Sequence, residues 1–194
     1  MALSVLFVGG TGQISLTSVC EAVAAGHKVT VFNRGKSSVA ELPAGVTTIV
    51  GDIHDQETYA KLGASKFDVV CAFMVFKPEH IRQDIATFSG KVGQYVFISS
   101  ASCYLKPVRH YIITEKTPLE NPYWEYSRNK IACERLLQDQ SKLCCLVSPV
   151  TTNRQLCSTA KPCNSSIWVA WSGLGFLIGT SGGGGRNSES FQAP

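Results

Sequence analysis

The chain has 194 residues, 44% of them hydrophobic, and a formal net charge of +4. That length suits one ordinary core-forming domain and part of a second, and a charge so small and dispersed gives no argument for nucleic acid as a partner. No apolar run reaches the roughly 18 residues a membrane span needs. The N-terminus shows neither a basic n-region nor a cleavage site, so a cytoplasmic protein is expected.

Strands and helices alternate along the first three quarters. Leu3 to Val8 reads as a short apolar strand, Thr11 to Ala25 as a helix stopped by Gly26, and Lys28 to Phe32 as a second strand. A third strand is predicted over Val46 to Val50, a helix over Asp55 to Leu62, and a buried strand over Phe67 to Phe73. Pro78 to Phe88 is a helix with proline in its first turn, Gln94 to Ser99 a strand, Trp124 to Lys142 a long helix, and Leu143 to Val147 a sixth strand. Near-continuous apolar strands separated by helices imply a parallel sheet covered on both faces. The fold class is therefore α/β, a doubly wound, Rossmann-like parallel sheet.

After Leu143 the composition changes. Of the 32 charged side chains, 28 precede that residue, while the remainder of the chain holds half of the eight cysteines and the run Gly182 to Gly185. Two regions are expected: a dinucleotide-binding domain over 1–149, and an irregular tail over 150–194 that stands for a truncated or divergent substrate domain. Only Ile167 to Ile178 in that tail is apolar enough to dock. The cysteines form no CxxC pair and match no zinc spacing, so small apolar free thiols are expected and no metal.

Two motifs carry chemistry. Gly9, Gly12 and Ser15 take the three positions of a GxxGxxG loop between the first strand and helix. Such a loop lets a pyrophosphate approach the backbone, and the helix N-terminus offers it free N–H groups and a positive dipole end. Thr11, Gln13 and Ile14 complete the candidate loop. The second strand ends in Asn33-Arg34-Gly35-Lys36, without the acidic residue that would hold ribose hydroxyls. Arg34, with Lys36 nearby, instead suits a 2′-phosphate, and Asn33 joins it as a cofactor-binding candidate, so NADP is expected ahead of NAD. Asp52, with Ile53, follows the third strand and is placed to accept from an adenine amino group. The second motif is Tyr126 and Lys130, four residues apart and so on one helix face. A nearby ammonium favours the phenolate, which an ordinary tyrosine with a pKa of about 10 does not populate near neutrality.

With these pieces in place, residues 3 to about 149 resemble the extended short-chain dehydrogenase/reductase family, the NAD(P)-dependent epimerase/dehydratase group. The resemblance rests on Gly9 to Ser15, Gly51-Asp52, Val96 to Tyr104, Glu115 to Pro118 and Tyr126 to Lys130, in that order. It implies that Tyr126 is the general acid/base and that Lys130 holds the nicotinamide ribose and lowers the phenol's pKa. Ser100, with Ser102 as the nearby alternative, would bond the substrate oxygen. The substrate would be a small molecule with a hydroxyl or carbonyl, such as a nucleotide sugar, and a homodimer is the family's habit. Val147-Ser-Pro149 stands where the family commonly has Arg-Pro, and beyond it the resemblance stops, which puts turnover in doubt. The loop also resembles a branch that includes chloroplast stem-loop-binding proteins. The alternative is thus a non-catalytic nucleotide-binding protein associated with RNA.

Overall fold

The computed structural model describes residues 2–35, 41–114 and 116–139, and two further strands between 166 and 181. Five parallel strands, β1 (Ser4–Val8), β2 (Lys28–Asn33), β3 (Thr47–Val50), β4 (Val69–Ala72) and β5 (Gln94–Phe97), form one sheet in the order β3-β2-β1-β4-β5. The order reverses direction between β1 and β4, and in such sheets ligands bind beyond the carboxyl ends of the strands at that switch point. β6 (Ser166–Ser172) and β7 (Gly175–Ser181) pair only with each other, antiparallel.

Side chains alternate across the sheet, so each strand feeds two cores. Val5 and Phe7 of β1, Val29 and Val31 of β2, and Val96 of β5 pack with Val19 and Ala22 of α1 (Gln13–Ala24). On the other face Leu6, Val70 and Phe97 meet Ile81 and Phe88 of α3 (Pro78–Phe88) and Cys133 and Leu137 of α4 (Glu125–Asp139). Tyr59 of the short α2 (Gln56–Ala60) joins that second core. Both faces are covered, as the apolar strands required.

The predicted elements differ from the observed ones mainly at their ends. α1 starts two residues later than expected, because Thr11 and Gly12 belong to the turn and Gly12 is the N-cap. Gly26, at φ +80°, ends it as read from sequence. The predicted helix over 55–62 splits into α2 and a 3-10 turn, Lys61–Ala64. α4 starts at Glu125. The sixth strand at 143–147, the boundary at 149/150, Lys36 and Glu115 lie outside the described residues. Within the expected irregular tail, the described strands β6 and β7 form an antiparallel pair.

One buried cluster was not foreseen. Asp84, on α3 and only 4% exposed, accepts hydrogen bonds from the hydroxyls of Tyr59 (2.5 Å) and Tyr95. A lone buried carboxylate is costly unless hydrogen-bonded, and these two phenols tie α2, α3 and β5 around it. Burial pushes the Asp84 carboxyl up to about 6, against the pull of both tyrosine donors.

Candidate dinucleotide site and catalytic cluster

The candidate residues gather at the carboxyl edge of the sheet. Gly9 follows β1 at φ +89°, a conformation that a side chain resists, and its N–H donates to Phe32 O at 2.9 Å. A Cβ built there would lie 2.4 Å from Met74 Cγ. Ser15, 3% exposed, fills the third loop position by bonding inward: Gly12 N–H donates to its Oγ at 2.9 Å. The first i→i−4 bond of α1 runs from Leu16 N–H to Gly12 O, so the amides of Gln13, Ile14 and Ser15 have no acceptor within the helix. Ile14 is 59% exposed beside them. A tight positive-φ turn, open amides and a helix dipole suit a dinucleotide's phosphates.

Neighbouring strand ends complete this half of the site. Asn33 at the end of β2 accepts Gly35 N–H on Oδ1 and Gly51 N–H on its carbonyl, both at 2.9 Å. This joins the Arg34 turn to the Gly51-Asp52 turn. Arg34 is exposed and in no ion pair among the described residues. Asp52 Oδ1 accepts His54 N–H at 3.0 Å, and Ile53 O accepts from Gln83 Nε2 at 2.8 Å, which fixes that loop against α3.

On the other side of the switch point Tyr126 and Lys130 share a face of α4, as their spacing required. Lys130 is 2% exposed and its Nζ donates to Val75 O at 2.5 Å and Ile98 O at 2.7 Å, bridging the ends of β4 and β5. It lies 4.8 Å from the Phe97 ring centre and 5.7 Å from that of Tyr126. Burial brings the ammonium down to about 8. Burial raises the Tyr126 phenol above the ordinary tyrosine value, and the Ser100 hydroxyl opposes the rise. Lys130 Nζ is held by two carbonyls, and the Ser100 hydroxyl favours the phenolate.

Ser100 does two jobs. It caps the 3-10 turn Ala101–Cys103 by accepting Ser102 N–H at 3.3 Å, and it contacts Ser102 Oγ at 2.9 Å. Ser102, the alternative candidate, is in the same hydrogen-bonded network. Ser99 turns away and donates to Glu134. Two buried participants, Asn121 and Ser127, escaped the sequence reading. Ser127 adjoins Tyr126 in the chain, but nothing in its neighbours marks it as buried.

A glycine turn on a parallel sheet, facing a tyrosine–serine–lysine cluster across the switch point, defines a dinucleotide-binding Rossmann-type domain. The sequence bears this out: the NAD(P)H-binding family matches residues 9–152, and the chain belongs to it. It is 33% identical over 115 residues to the chloroplast stem-loop binding protein of 41 kDa b of Arabidopsis thaliana, across 53% of this chain and 30% of that protein. Among solved structures, UDP-glucose 4-epimerase from Brucella ovis in complex with NAD superposes with a TM-score of 0.62 at 22% identity, over 76% of this chain and 51% of that one. An epimerase from Methanothermobacter thermautotrophicus gives 0.64 at 18%, over 76% and 50%. The chain thus spans about half the length of these epimerases and less of the plant protein, and the structural likenesses speak to the fold.

Proposed function

We propose that this protein is an NAD(P)-dependent oxidoreductase of the extended short-chain dehydrogenase/reductase family, epimerase/dehydratase group, acting on a hydroxyl or carbonyl of a nucleotide sugar or similar small molecule. The observation that carries the reading is the buried Lys130, 5.7 Å from the centre of the Tyr126 ring on the same face of α4 and on the same sheet edge as the glycine turn. Ser100 orients the substrate oxygen. Tyr126 gives that oxygen its proton in reduction and takes it back in oxidation. Lys130, its ammonium held between the ends of β4 and β5, binds the nicotinamide ribose. The bound nicotinamide supplies or accepts the hydride. A structural neighbour from Bordetella bronchiseptica in complex with NAD and UDP supports the substrate class. A homodimer through α4 and a cytoplasmic location belong to the same reading and rest on family resemblance and sequence.

Calorimetry with NADPH and NADH tests the cofactor step, with NADPH expected to bind more tightly. Binding of neither would end the proposal. Arg34→Ala is expected to weaken NADPH about 10- to 100-fold, the worth of a charge-assisted hydrogen bond to phosphate, and to leave NADH nearly untouched. Equal losses for both would remove the 2′-phosphate role. Binding is expected without residues beyond 149, because every candidate cofactor contact precedes them. Turnover is expected to need substrate contacts from outside that span.

The plant relative favours a second reading, a nucleotide-binding protein that meets structured RNA without catalysis. Its mark would be RNA affinity that falls steeply with salt, as phosphate contacts require.

A further inference from the structure

Lys130 brings a positive charge into the core among neutral partners. It is 2% exposed, and its Nζ donates to Val75 O and Ile98 O beneath the rings of Phe97, Phe76 and Tyr126, whose centres lie 4.8, 5.2 and 5.7 Å away. Such a charge is costly without an opposite one within reach. Residues four apart on a helix are neighbours, and one turn on from Lys130 stands Glu134, half-buried. Glu134 Oε1 accepts the hydroxyl of Ser99, which is 6% exposed, so the carboxylate is held inward. α4 therefore grips two successive residues at the end of β5: Lys130 takes the Ile98 carbonyl, and Glu134 the Ser99 hydroxyl. The other titratable groups around the ammonium are neutral near pH 7. Burial pushes the Cys133 thiol up to about 12 and raises Cys103 and Tyr126. Glu79 of α3, which faces Cys133, pairs with Arg82 at 3.3 Å.

We propose that Glu134, anchored by Ser99, is a positioning residue whose carboxylate keeps the buried Lys130 ammonium charged. The proposal rests on the reading of Lys130 as the residue that binds the nicotinamide ribose, and deepens it. An ammonium has three hydrogens, two of which go to Val75 O and Ile98 O, so the third is left for a ribose hydroxyl. A neutral amine has two, and both are already committed. The donor for the ribose therefore exists only in the charged form. Burial works against that form, and the Glu134 carboxylate works for it.

In the full chain labelled with 13C at lysine Cε, the Lys130 resonance moves as its proton leaves, and Lys130→Arg identifies it by removing it. Glu134→Gln keeps an acceptor for Ser99 and loses the charge, and is expected to lower the Lys130 midpoint by about 0.5–1 pH unit. Glu134→Asp, which keeps the charge, should recover most of that shift. Ser99→Ala leaves the charge but frees the carboxylate, so the midpoint is expected to fall in the same direction. This variant also serves if Glu134→Gln does not fold. A midpoint unmoved in either variant that folds, whatever its melting temperature, overturns the proposal and leaves Glu134 as a packing residue. NADPH affinity, measured on the same samples, should fall off at a correspondingly lower pH in Glu134→Gln, because the third N–H leaves with the charge. A parent chain that binds no NADPH would defeat the oxidoreductase reading without altering the titration.

Discussion

Between about pH 4 and pH 7 the domain is expected to lose on the order of 3 kcal/mol of stability as Asp84 ionises, and Asp84→Asn is expected to remove that loss. The sign follows from the direction of the shift. Burial raises the Asp84 carboxyl from 3.8 to about 6, so the folded state holds this proton more tightly than the unfolded chain does. The contribution is whole below the unfolded value and disappears as pH rises through the folded one. Asparagine stays neutral throughout, and it still offers an acceptor to one tyrosine hydroxyl and a donor to the other. Asp84→Leu separates charge from hydrogen bonding. At pH 4, where the wild-type carboxyl is protonated, it leaves Tyr59 and Tyr95 without their acceptor and should cost about 2–4 kcal/mol. Denaturant unfolding of the three proteins across this range measures both effects. Parallel pH profiles for wild type and Asp84→Asn would show that the carboxyl is not the titrating group.

Gly9→Val is expected to weaken NADPH binding at least about 100-fold, close to 3 kcal/mol, by closing the approach of a pyrophosphate to the turn. Two separate physical faults act at this position. The φ of +89° is strained for a side chain, at about 1–2 kcal/mol, and more for a β-branched one. A Cβ would also meet Met74 Cγ at 2.4 Å. Pairing the change with Met74→Ala relieves the contact but not the backbone. The double variant should therefore recover part of the thermal stability while affinity stays low. Calorimetry showing affinity near wild type for Gly9→Val would place the phosphates elsewhere.

Much of the architecture was legible from local pattern. Apolar runs such as Val5 to Val8 and Val69 to Ala72 are buried on both faces of a parallel sheet, so their lack of alternation announced it. Pro78 and Gly26 marked helix ends because each fixes or frees backbone angles by itself. The spacing of Tyr126 and Lys130 likewise needed only the helical period. What those two residues do was decided by partners far away in the chain. Lys130 bonds Val75, 55 positions back, and Ile98, 32 back, and those carbonyls are available only because β4 and β5 end side by side. Asp84 carries no local mark of burial in the sequence, and it is Tyr59 and Tyr95 that close over it from α2 and β5. Asn121 and Ser127 gained their direction in the same way, from backbone groups at residues 102 and 123. Periodicity and glycine are written into neighbouring residues, whereas hydrogen-bond direction and charge state depend on which groups the packed sheet brings within reach.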